Sequence, residues 1–178
     1  MRDPAASLSL FPVELEVGGH IFTLPALPAR RWVEMLVAND LLLMVAAEPE
    51  GFIDDGQARR LEEMLLDGVV SMEEVRAALQ EAVGVVAGRD WWEAVGLVFT
   101  VAAEVNWARM HGQLVVAGVD SGSVPFGAWL DAAMWLATQH MDEKQLGRFL
   151  GVLQTPPVEV GLDEGGAFVF PAAAGGVI

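Results

Sequence analysis

Apolar and polar positions alternate through residues 13–24, VELEVGGHIFTL, on both sides of Gly18-Gly19, and this pattern predicts a β-hairpin. A two-residue glycine turn supplies the positive φ angles such a hairpin needs. It sets Val17 opposite His20, Leu15 opposite Phe22, Glu14 opposite Thr23 and Val13 opposite Leu24, so Val13, Leu15, Phe22 and Leu24 share one face. A two-stranded ribbon is marginal alone, so that face must dock on the helices that follow.

Beyond Pro25 the period of the pattern lengthens. Pro28 opens a helix expected to reach Ala47, with Trp32, Met35, Leu36, Leu42, Leu43 and Met44 facing inward. The stretch Glu48 to Gly56 reads as a loop, and Arg59 to Asp67 as a short helix capped by Asp54 or Asp55 and stopped by Gly68. Ser71-Met72-Glu73-Glu74 fits a capping box, and Met72, Val75, Leu79, Val83 and Val86 follow it at helical spacing as far as Gly88. Asp90 with Glu93 repeats the start signal. The helix after it, expected to run to Met110, is apolar nearly all round, with Trp91, Trp92, Val95, Leu97, Val98, Phe99, Val101, Val105 and Trp107. A helix without a polar face belongs at the centre of a bundle.

Gly112 to Ser123 reads as a connection. Pro125 then starts a helix carrying Phe126, Trp129, Leu130, Ala133, Met134 and Ala137, and Asp142 caps a last amphipathic one with Leu146, Phe149, Leu150 and Leu153, stopped by Thr155-Pro156-Pro157. The predicted class is mainly α: a helical bundle of five to six helices with an N-terminal β-hairpin and a flexible C-terminal tail. Residues 1–12 form an N-terminal arm, 13–157 the hairpin plus helical domain, and 158–178 a low-complexity tail.

Charge narrows the partners. Ten Lys+Arg against 25 Asp+Glu leave a net charge of −15, which disfavours nucleic acid and anionic lipid alike. The greasiest stretch, Ala94 to Ala103, falls short of the roughly 20 apolar residues a membrane span needs. The N-terminus lacks a long apolar run with a cleavage site, so the chain reads as untargeted and cytoplasmic.

Catalytic chemistry is thinly supplied. There is no Cys, which removes thiol nucleophiles and Cys-ligated metals, and only His20, His111 and His140 stand ready as acid–base groups near neutral pH. Gly118-Val119-Asp120-Ser121-Gly122 is one place out of register for a nucleophile elbow and reads as a plain turn. His140, Asp142 and Glu143 lack the i, i+4 His pair of a zinc helix, and the pairs Asp54-Asp55, Glu62-Glu63 and Glu73-Glu74 read as caps and solvated faces. No catalytic, cofactor or metal residues are therefore assigned, and the chain is not expected to be an enzyme. The candidates for partner binding are aromatic. Trp91 and Trp92 point about 100° apart on a helix, so either both are core or one faces a partner. Phe168 and Phe170 stand in a tail of small residues as a short apolar anchor.

The order of these signals is itself distinctive. An opening V-E-L-x-V-G-G-x-x-F-x-L hairpin leads through Pro25 and Pro28 into Arg30-Arg31-Trp32, and WLDAAMWLATQHMDEKQLGRFLGVLQTPP closes the fold at residues 129–157. The arrangement resembles the tail assembly chaperones of long-tailed, siphovirus-type phages that infect actinobacteria, over residues 11–160. The resemblance implies a protein of the host cell cytoplasm that binds the tape measure protein, keeps that long apolar chain soluble, and helps recruit the major tail (tube) protein during tail assembly. A competing reading is a structural virion component, a tail-completion or connector subunit, whose ring would require self-association and place it in the virion tail.

Overall fold

The computed structural model describes residues 10–38, 53–100 and 107–156, the side chains of Ala38 and of 107–110 excepted. Strands β1 (Val13–Val17) and β2 (His20–Leu24) pair antiparallel in the predicted register, with Glu16 opposite Ile21 completing the ladder. Gly18 and Gly19 turn the chain at φ 57° and 73°, the left-handed values of a two-residue hairpin turn. Val13, Leu15, Val17, Phe22 and Leu24 are all buried, while Glu14, Glu16, Ile21 and Thr23 face out.

Among the described residues the hairpin is followed by seven helices: α1 (Ala29–Ala38), α2 (Asp55–Leu66), α3 (Met72–Ala87), α4 (Trp91–Phe99), α5 (Trp107–Val116), α6 (Phe126–Thr138) and α7 (Glu143–Leu153). The mainly α class with a small N-terminal hairpin is therefore observed. The hairpin packs through β1 on α3, which also packs on α4 and α6 and buries Val75, Leu79, Ala82, Val83 and Val86 among these neighbours. Helix α4 packs against α1, α3, α6 and α7, and its Ala94, Val95, Leu97 and Val98 are buried, so this part of the segment without a polar face occupies the centre, while Val101 and Val105 lie outside the described residues.

Of the helix expected to run to Met110, the described residues show α4 as far as Phe99 and helix again from Trp107, with 101–106 outside the described residues. α5 continues through Gly112 to Val116, where a connection was expected. One glycine inside a helix costs only about 1 kcal/mol. Leu114, 1% exposed, offsets that by burial against the core. The helix closes at Gly118, φ 82°, whose N–H donates to Val115 O while that of Val119 donates to Leu114 O. Of the inward residues foreseen on α1, Trp32, Met35 and Leu36 are buried; Leu42, Leu43 and Met44 lie outside the described residues, as does the tail.

Capping follows the sequence at α2, α3 and α7, whereas Asp90 stands at the N-cap position of α4 without a side-chain cap bond, so the start signal there marks the boundary but not the box. Asp54, not Asp55, caps α2 by accepting from Gly56 N at 2.9 Å and Gln57 N at 3.1 Å. Ser71 and Glu74 form a reciprocal box at α3, and Asp142 and Gln145 another at α7. Hydrogen bonds to Gln57 hold the Asp54 carboxyl below its ordinary 3.8, and those from Ser71 hold Glu74 below 4.5. Because both folded values are depressed, the stabilisation is complete above the ordinary values and is lost as pH falls through the lower folded ones. Glu74→Gln keeps the box but removes the charge. The variant is expected to be less stable than the parent in urea at pH 6, with the difference vanishing as the pH drops below the folded value of Glu74; a difference that persists in strong acid would place its origin elsewhere.

Candidate protein-binding surface

The turn between α3 and α4 is stiff for identifiable reasons. Gly88 ends α3 in the left-handed region at φ 65°. The last turn of α3 approaches the following loop so closely that a Cβ on Gly84 would sit 3.3 Å from Arg89 O. Arg89, whose side chain is 16% exposed, reaches across to an ion pair with Asp131 on α6. Trp91 and Trp92 open α4 immediately beyond this corner.

The two tryptophans meet edge to face, their ring centroids 5.9 Å apart and their planes at 85°. Both are half-buried, so neither is a closed core residue nor a freely exposed one. Trp91 packs against the core cluster, while the indole Nε1 of Trp92 is buried and meets no hydrogen-bond acceptor among the described residues. The structure thus brings Trp91 and Trp92 together as a rigid aromatic pair at the margin of the core. Phe168 and Phe170 lie outside the described residues.

Other apolar residues stand further out than these and were not singled out by the pattern. Trp135 on α6 is 60% exposed and Val116 at the end of α5 is 89% exposed, with Val115 beside it; α5 and α6 pack together. The signal for Trp135 was available. Phe126, Trp129, Leu130 and Ala133 define the buried stripe of α6, and a tryptophan two places past Ala133 falls off it. On α7 only Leu153 is buried, and Leu146, Phe149 and Leu150 remain half-covered.

The polar constellations have structural work. Asp120 accepts from Gly122 N at 3.0 Å and from Ser123 Oγ at 3.2 Å, making a tight turn in which Ser121 is buried. That turn holds the start of α1, where Arg30 N donates to Ser121 O at 2.8 Å and Ala29 N to Val124 O at 2.9 Å. His140 and Glu143 are exposed beside the Asp142 cap, and among the described residues no three His, Asp or Glu converge as metal ligands would. What the surface offers is apolar side chains in an acidic field. No family model, curated protein or solved structure matches the chain.

Proposed function

We propose that this protein is a phage tail assembly chaperone that binds the tape measure protein, keeps it soluble and helps recruit tail-tube subunits around it. The observation that supports the reading is the coexistence of exposed apolar side chains, Trp135, Val115 and Val116 above all, with a net charge of −15. Apolar burial is worth roughly 25 cal/mol per Å², so a client with long apolar stripes aggregates unless a matching surface covers them. Surplus negative charge then keeps the joined chains apart from one another. The half-covered pair Trp91 and Trp92 and the apolar side of α7 extend the available surface.

Co-production with a tape measure protein tests the proposal. The client is expected to move from pellet to supernatant in the presence of this protein, and to stay in the pellet when both partners are folded but the reading is wrong. Trp135→Ser is expected to weaken client capture at least about tenfold, as loss of an aromatic hot spot does, while leaving the urea midpoint nearly unchanged. Mass spectrometry of purified particles separates the competing reading: a chaperone is missing from the mature tail, whereas a tail-completion subunit is present in fixed amount.

A further inference from the structure

The two outer edges of the hairpin differ. In a hairpin with a two-residue turn, Val17 and His20 exchange hydrogen bonds, so the bonding pairs are Val17 with His20, Leu15 with Phe22 and Val13 with Leu24. The intervening residues, Glu14 and Glu16 on β1 and Ile21 and Thr23 on β2, turn their N–H and C=O groups away from the partner strand. On β2 that edge is engaged by α2, for the N–H of Thr23 donates to Gln57 Oε1 at 2.7 Å. On β1 the outward groups of Glu14 and Glu16 meet no partner among the described residues, and both residues are exposed.

We infer that the outer edge of β1 is a docking edge for an extended segment of another protein that carries basic side chains at alternate positions. An incoming strand would exchange main-chain bonds with Glu14 and Glu16, which places its side chains opposite theirs on the outer face of the sheet. Lys or Arg at those two positions meets the carboxylates directly, and the residue between them turns toward the side of Leu15. Two other occupants are disfavoured by charge. A second copy pairing antiparallel through VELEV sets Glu14 against Glu16 of its partner, and like charges directly opposite one another destabilise a strand pair. The chain's own residues 158–178 hold Glu159, Asp163 and Glu164 and no Lys or Arg. This edge is separate from the apolar helical surface of the proposed client site and stands whether or not that proposal does.

The test uses the full chain and the peptide acetyl-Thr-Lys-Val-Lys-Thr-amide, followed by NMR. Saturating peptide is expected to slow hydrogen exchange of the Glu14 and Glu16 amides by at least about tenfold, with little change at Thr23. The same peptide methylated on both lysine nitrogens of the main chain keeps its charge and is expected to lose the effect. Glu14→Lys/Glu16→Lys is expected to reverse the preference toward the corresponding glutamate peptide. Equal binding of the methylated peptide would reduce the edge to simple charge attraction and overturn the proposal, as would absence of binding. Amides that are already slow and become fast on removal of residues 158–178 would assign the edge to the tail. Amides that slow with protein concentration alongside dimer formation would assign it to a second copy, and either result also overturns the proposal.

Discussion

Phe126→Ala is expected to cost about 3–5 kcal/mol of folding stability, the range for deleting a large buried aromatic side chain. Phe126 is 2% exposed and lies between two tryptophans, its ring stacked with Trp32 of α1 at a centroid distance of 6.0 Å and 23° and with Trp129 of α6 at 6.4 Å and 12°. Both neighbours are themselves fully buried, so truncation leaves a hole that cannot be filled by solvent and forfeits two ring contacts. The same residue begins α6 just past Val124, whose carbonyl holds the N-terminus of α1. Loosening it therefore loosens the seam between α1 and α6. Urea unfolding followed by tryptophan fluorescence gives the number, with Trp135→Ala as the surface control expected within about 0.5 kcal/mol of the parent. A loss below about 1 kcal/mol for Phe126→Ala would mean that the stack is not part of a close-packed core.

The contrast between Phe126 and Trp135 shows where sequence reasoning held and where it stopped. Signals that act over a few residues were legible: alternation in β1 and β2, the glycine turn, the Ser71–Glu74 box and the Asp142 cap each name both the element and its boundary. They are local because the hydrogen bonds that enforce them close within three or four residues. The stripe of α6 was legible for the same reason, since Phe126, Trp129, Leu130 and Ala133 recur on one side of a helix.

Features decided across the fold were not. The start of α1 has no side-chain cap to read, because its first donors are satisfied by carbonyls of Ser121 and Val124, more than 90 residues away. Gly112 looks like a breaker, yet burial of Leu114 outweighs it and carries α5 on to Val116. Trp91 and Trp92 posed a choice between core and partner that composition could not decide, and the structure places both at the boundary, half-covered and edge to face. The unequal edges of the hairpin are invisible in the alternation itself; they follow from a single side chain, Gln57, brought to β2 by the packing of α2.

The same dependence on a distant element makes the hairpin turn the second sensitive point. Gly18→Ala is expected to lose roughly 2–5 kcal/mol, from two causes that can be separated. A non-glycine residue at φ 57° pays roughly 1–2 kcal/mol for the left-handed backbone. A Cβ at this position would also overlap Cγ1 of buried Val70 and touch Met64 Cε at 3.4 Å, and such overpacking adds about 1–3 kcal/mol. Gly19 isolates the first cause, since its φ is 73° but a Cβ there meets nothing within 4 Å; Gly19→Ala is expected to lose only the backbone share, about 1–2 kcal/mol. Combining Gly18→Ala with Val70→Ala isolates the second. The double variant should be more stable than the sum of its parts by about 1–3 kcal/mol, because the atom that clashes has gone. Additive losses would mean that the turn lifts away from the α2–α3 loop rather than pressing on it, and that the hairpin is held to the bundle by its buried face and by the Thr23–Gln57 bond instead.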